Sequence, residues 1–535
     1  MKNTKLNSMI GLIKKAYGKW AKEYHYSIPL PVLKMYIHKF FHESSNISKH
    51  GARFFDPSNV EEYHAWLKLQ TYEKEDSIFK DITVIGKDID SSKYTNLKVK
   101  DMSILDIDSI DTNYVFITSK EVEIYPEFYA YLKCCEGYDL TYFDHDHLVD
   151  GVRKDPNLKP DLAYDTLRGI NYIGNVCIIK KELLKRFNGE KINLYAWLLR
   201  LTDSSLKVKH IEKILYSDSY NSQEEVEIVK EYIKDAANIE VLEDGIGRKI
   251  YYKVKGTPKV SIMIPTKDGK DVLQTCIDSI FEKTTYTNYE IIIADNNSEK
   301  EETFTYFSEI QKTHDNVKVL RVESPFNFSY INNRMEEVTT GDYLVLLNND
   351  TSIITPNWLE KMLSYASQEG VGSVGVKLWY PDDSIQHGGV ILGKGGAAAH
   401  RYYRCEQNTK GYYYTLDIPN NVSCCTAACL MTSKKCWGKL HGMDENLTVQ
   451  FNDVDYALRL LKAGYRNVFL PDVELYHYES KSRGIDTDPE AVKRYMSEVN
   501  HAKKEWADYI QHDPFYNDNF DKNYDYQLII GTGSN

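Results

Sequence analysis

The chain has 535 residues, 42% hydrophobic and 27% charged, which is enough apolar material for large cores and unlike a disordered protein. Lysine plus arginine number 66 against 78 aspartates and glutamates, a net charge of −12 that excludes a wholly basic nucleic-acid-binding surface. No apolar run approaches the ~20 residues that span a bilayer, which excludes an ordinary membrane-spanning helix.

The nine cysteines, an odd number without an apolar leader ahead of them, predict reduced thiols in a cytoplasmic protein. The length predicts two to four domains. Residues 1–50 carry nine lysines against Glu23 and Glu43. Leu6, Met9, Ile10, Ile13, Tyr17 and Trp20 recur near helical spacing between those lysines. Such a segment suits a basic amphipathic helix on an anionic membrane surface, and equally a solvated helix packed on its own protein. Residues 223–233 predict another amphipathic helix, and Glu243-Asp244-Gly245-Ile246-Gly247 predicts a linker. From Lys259 onward short apolar runs alternate with helical stretches, the pattern of a mostly parallel α/β sheet.

Val260-Ser261-Ile262-Met263-Ile264 is a strand that ends in Pro265-Thr266, and Ile291-Ile292-Ile293-Ala294 ends in Asp295-Asn296-Asn297-Ser298. Ligands of open α/β sheets sit at the carboxyl ends of strands, so Asp295 is placed to bond a nucleotide base or ribose; a turn at Asn297-Ser298 also explains it. Tyr343–Leu347 ends in Asn348-Asn349-Asp350, where a carboxylate facing a cleft suits a hard cation shared with substrate phosphates, and where a simple turn also fits. In Asn452-Asp453-Val454-Asp455, a helix points the two acids roughly 200° apart, so a shared metal site is disfavoured. The pattern fits one general base with the other acid bonded structurally, and it also fits two first-turn acids that satisfy the helix dipole. A short strand then leads to Leu475-Tyr476-His477.

These pieces, in this order, resemble glycosyltransferase family 2 over residues 259–484. The match includes Phe326-Asn327-Phe328-Ser329, Asn332-Asn333-Arg334, Trp358 after Pro356 and Gln386-His387-Gly388-Gly389. The subgroup it is most similar to includes bacterial rhamnosyltransferases of O-antigen and wall polysaccharide synthesis, and Asp513-Pro514-Phe515-Tyr516-Asn517 resembles the end of such chains. The resemblance implies a GT-A fold and an inverting transfer that depends on Mn²⁺ or Mg²⁺. The sugar would pass from a nucleotide-diphosphate donor, with dTDP-rhamnose the first choice, to a glycan or lipid-linked acceptor. No nucleic-acid partner is expected, and contact with the inner membrane face would run through residues 1–50. By the same resemblance Pro265, Thr266, Asp295 and Asn348 hold the nucleotide. Asp350 and His477 ligate the metal, and Asp453 is the base. Asn333, Arg334, Gln386, His387 and Asp455 contact donor or acceptor. Asn348 stands where the family's Asp-x-Asp motif has its first acid. The other reading is a non-catalytic scaffold that binds nucleotide sugars or glycans.

The first half echoes the second. Tyr114–Ile117 with its polar tip parallels Leu344–Leu347, which sets Lys120 at the place of Asp350. Asn193–Leu201 parallels Asn452–Leu460, with Leu194 for Asp453 and Ala196 for Asp455, and Leu215-Tyr216-Ser217 parallels Leu475-Tyr476-His477. A lysine repels a cation and a leucine takes no proton, so a degenerate, non-catalytic GT-A-like domain is expected over 51–220. Asp144-His145-Asp146-His147 within it fits a decorated loop better than a metal site. The remaining segments are 221–258, helix and linker, and 259–484, the catalytic domain. A C-terminal helix and tail complete the chain over 485–535.

Overall fold

The computed structural model describes residues 60–74, 79–94, 96–119, 121–201, 206–218, 225–478 and 489–529. The basic segment 1–50 and Lys120 lie outside the described residues. Two mixed sheets dominate the chain beyond residue 54. In the first, neighbouring strands run in the order Lys98–Asp101, Ile82–Gly86, Tyr114–Ile117, Cys177–Lys180, Leu140–Val149, Val208–Ser217, Glu123–Ile124. In the second the order is Tyr289–Asp295, Val260–Thr266, Tyr343–Leu347, Cys429–Ser433, Val371–Trp379, Arg466–His477, Thr351–Ile353.

Position by position these orders share both chain sequence and strand sense. The first three strands are parallel, and the fourth is antiparallel to both its neighbours. The fifth and sixth are parallel, and the seventh is antiparallel to the sixth. Even the spur repeats, with Val152–Asn157 on the fifth strand of the first sheet and Ile385–His387 on that of the second. The second sheet adds Val317–Arg321 at one edge. The expected α/β class, with a further α/β domain ahead of the main one, is thus what forms.

Central parallel strands are covered on both faces and read as apolar runs, which is why Val260–Ile264 and Ile291–Ala294 have no exposed surface. One hydrophobic core contains residues of both halves, including Val115, Ile179 and Trp197 from the first and Trp358, Val374 and Leu470 from the second. Residues 243–247, read as a linker, are instead the turn of a hairpin, Ala236–Val241 with Arg248–Tyr252. Gly245 has φ 74°, and Leu242 N–H donates to Gly247 O at 2.9 Å. Ile250 and Tyr252 are buried in the common core, so burial of apolar side chains overrides the flexible local composition.

Polar ties cross between the halves. Arg466 donates to Asp165 at 2.9 Å, and Asn421 exchanges bonds with the same residue. The tail spans both halves too. Asp513 accepts from Leu392 N–H and from Ser423, and Asn517 donates to Asp144 at 3.0 Å. No helix of the described residues is long and apolar enough to cross a membrane.

Candidate active site

The carboxyl ends of the parallel strands in the second sheet gather the expected residues. Thr266 and Asp295 are register partners at the ends of adjacent strands, and Pro265 precedes Thr266. The Asn349 amide donates to Thr266 Oγ1 at 2.9 Å, joining this edge to the tip of the third strand. Asp295 is buried; it accepts Ser298 N–H at 3.0 Å and an Arg321 guanidinium N–H at 2.6 Å. Its carboxylate therefore fastens the turn that follows it and carries a charge partner that the motif order did not reveal.

Asp350 and His477 meet because Thr351, next to Asp350, pairs directly with His477 across an antiparallel ladder. Asp350 Oδ1 stands 3.1 Å from His477 Nε2. His477 Nδ1 lies 2.7 Å from Gln386 Oε1, and the Gln386 amide donates back to His477 O at 3.3 Å. With Nδ1–H given to Gln386, Nε2 is left as the lone-pair nitrogen, and the Asn348 amide donates to it at 3.2 Å. Two lone-pair atoms about 3 Å apart match neighbouring ligands of an octahedral ion with bonds of about 2.1 Å, and Gln386 supplies the outer bond that orients a ligating histidine. The donor set fits a hard divalent cation.

Asp453 opens the helix Asn452–Lys462 and is only partly covered. Its Oδ1 accepts Val454 N–H at 2.8 Å and its Oδ2 accepts Ala427 N–H at 3.1 Å. The adjoining carbonyl, Ala428 O, accepts Asn348 N–H at 3.0 Å. The segment 426–428 thus links Asp453 to the strand tip that holds Asp350. Asp455 turns away from it, as the helical spacing requires. It is buried and accepts from Arg459 at 2.7 Å and from the Trp506 indole at 3.1 Å; burial raises its carboxyl despite those bonds.

Of the remaining candidates, Asn333 and Arg334 are bonded to other parts of the chain. The Asn333 side chain is bonded to Met443 and Glu445, Arg334 pairs with Glu337 at 2.8 Å, and Asn333 and Asp455 line a separate pocket with Asp444, Lys462 and His501. His387 has no exposed surface. Gln386 faces His477. Arg321 and Trp506 escaped the sequence reading, since nothing local in the chain marks a partner 26 or 51 residues away.

Residues 261–436 match the model of the family "Glycosyl transferase family 2". These residues form a glycosyltransferase family 2 domain. Asp453 and His477 lie beyond the matched residues of this family. Among relatives, "Uncharacterized protein y4gI" of Sinorhizobium fredii is 36% identical over 71% of this chain and 45% of its own length. "O-antigen biosynthesis protein RfbC" of Myxococcus xanthus is 32% identical over 71% of this chain and 31% of its own. The chain therefore spans less than half of either relative. "N-acetylglucosaminyl-diphospho-decaprenol L-rhamnosyltransferase" of Mycobacterium tuberculosis is 27% identical over 28% of this chain and 51% of its own. A solved mannosyltransferase, PcManGT from Pyrobaculum calidifontis, aligns at 14% identity over 48% of this chain and 65% of its own, with a TM-score of 0.35.

Proposed function

We propose that the second half transfers a sugar from a nucleotide-diphosphate donor to a hydroxyl of a glycan or lipid-linked acceptor in cell-surface polysaccharide synthesis. The single observation that carries this reading is the meeting of Asp350 and His477 at 3.1 Å, with Asp453 one amide link away through Ala427–Ala428. Thr266, Asp295 and Asn348 stand along the strand ends where a nucleotide would lie. A divalent cation held by Asp350 and His477 would offset the charge that grows on the departing diphosphate. Gln386 keeps His477 Nε2 aimed at that position. Asp453 accepts the acceptor's proton while the acceptor oxygen bonds to the anomeric carbon and the bond to the diphosphate breaks, which inverts that carbon. Rhamnose on deoxythymidine diphosphate is our first donor, and the name of one relative, an L-rhamnosyltransferase, supports the sugar. The first half is a non-catalytic copy in this proposal.

The test is a panel of nucleotide sugars assayed with and without Mn²⁺ or Mg²⁺. We expect metal-dependent release of nucleoside diphosphate from one donor and loss of that release in Asp350→Ala. Tight nucleotide-sugar binding without turnover on any acceptor would favour a binding scaffold instead.

A further inference from the structure

His387 is buried, yet it touches the segment that bonds the Asp453 carboxylate. Its Nδ1 stands 2.8 Å from Nδ1 of His400, and its Nε2 accepts the Thr426 amide at 3.4 Å. Burial, together with His400, Arg401 and His477 nearby, holds the ring well below the ordinary imidazole range, so it is neutral. A neutral imidazole that accepts at Nε2 carries its proton on Nδ1, and His387 therefore donates to His400.

Three consecutive residues are fastened at this point. Thr426 N–H goes to His387, Ala427 N–H to Asp453 Oδ2, and Ala428 O accepts from Asn348. His400 is itself fixed by the pairing of Ala398–His400 with Val390–Leu392, and Val390 N–H donates to Cys424 O at 3.2 Å. The hairpin is thereby tied to the same stretch of chain from its other side.

We propose that His387 and His400 act as a positioning pair: the bond between them holds the 426–428 segment, and through the Ala427 amide it sets the direction of the Asp453 carboxylate. The inference rests on Asp453 being the base. Both histidines are positioning residues in this inference. Displacing a base by about 1 Å costs on the order of 100-fold in rate without weakening the donor's hold.

Three measurements on the full chain decide it. His400→Leu removes the acceptor for His387 Nδ1–H and should lower kcat on the order of 100-fold. His400→Gln presents an amide oxygen in its place and should restore most of that loss. Binding of nucleoside diphosphate with Mn²⁺, followed by calorimetry, should be unchanged in both. Equal kcat in His400→Leu and the parent, no rescue by Gln, or a fall in nucleotide affinity that matches the fall in kcat would each overturn the pair. Ring-nitrogen spectra of ¹⁵N-histidine protein read the pair without any turnover. His387 should appear as the neutral Nδ1-protonated form, and an Nε2-protonated form would overturn the inference. If no donor is turned over, the spectra still test the pair, and the failure belongs to the proposed function.

Discussion

The strand Arg466–His477 ends in His477, and its counterpart Val208–Ser217 ends in Ser217; each last residue pairs with the first residue of the short antiparallel strand beside it. From that shared position the two halves diverge. His477 Nε2 stands 3.1 Å from Asp350 Oδ1. The Ser217 hydroxyl donates instead to Asp146, which also accepts from Tyr63 at 2.5 Å and pairs with Arg153 at 2.6 Å. In the first half a guanidinium of the chain itself, stacked 3.8 Å from the Tyr125 ring, supplies the positive charge.

The strand tips differ in the same sense. Where the second half presents Thr266, Asn349 and Asp350, the first packs Ile89, Tyr94 and Val122 into a buried cluster. Gly86 there lies so close to Thr118 O that an added Cβ would sit 2.4 Å from it. The helix Leu194–Leu201 offers leucine and alanine where Asn452–Lys462 offers Asp453 and Asp455, and both replacements are buried. Sheet order is a property of apolar runs and connections, and two halves whose strand tips carry different side chains share it.

The largest expected effect separates the halves at their matched helices. Asp453→Asn should lower kcat by about 10²–10⁴, the range for loss of a general base. Leu194→Ala, at the equivalent place, should leave turnover per folded molecule unchanged and cost about 2–5 kcal/mol of stability as a core truncation. Initial rates corrected for folded fraction, together with urea denaturation, check both. A turnover defect in Leu194→Ala would make the first half part of the chemistry.

Arg153→Met is next. It leaves Asp146, with no exposed side-chain surface, without its cation. Breaking a buried pair costs about 3–5 kcal/mol, and the quarter exposure of Arg153 points to the low end. The expected readout is a lower unfolding midpoint with donor turnover intact below it. A gain of Mn²⁺ binding in this variant would show that the internal guanidinium had been excluding an ion from the first half.

Gln386→Ala tests the orienting bond that only the second half's site has. Loss of such an outer partner typically costs 10–100-fold in metal affinity or activity, so the Mn²⁺ concentration for half-maximal rate should rise by about that factor. Ser217→Ala should shift no metal requirement.

Much of this arrangement was legible in the chain. The alternation of apolar runs and polar tips gave the strands, and the order of Asp295, Asp350 and His477 matched the order in which strand ends arrive at one edge. The worn repeat was legible because Tyr114–Ile117 and Leu215–Ser217 kept their apolar spacing while their polar residues changed. What stayed hidden was set by packing between distant segments. Asp455 looked available until Trp506 closed on it, Asp295 gave no sign of Arg321, and Asp144 is held by Asn517, 373 positions along the chain. The Gly-containing stretch 243–247 misled because a tight hairpin turn and a linker use the same residues.

The smallest expected effect lies at the opposite ends of the strands, where the halves again differ. Ser261 and Thr83 are equivalent, each one residue after the start of its strand, beside Leu344 and Val115 respectively. Thr83 bonds a neutral partner, the Thr112 hydroxyl at 2.7 Å, whereas Ser261 donates to the Glu290 carboxylate at 2.7 Å. Burial alone would raise the Glu290 carboxyl. Bonds from Thr340 N–H, Ser261, Lys318 and the Thr340 hydroxyl outweigh it and hold the group at about 2 against the ordinary 4.5. A lowered carboxyl contributes stability that is fully present above 4.5 and disappears as pH falls through about 2. Glu290→Gln keeps the shape and one acceptor, so it should cost about 1.5 kcal/mol at neutral pH, the low end for bonds to a charged group. Urea unfolding at a series of pH values should show the gap between variant and parent narrowing below pH 4.5 and closing near 2. Thr83→Val should give a gap that does not change with pH, because no charge sits at that end of the first sheet's bond. A constant gap for Glu290→Gln would mean that its carboxyl titrates alike in the folded and unfolded chain, and that these bonds do not discriminate the charged form from the neutral one.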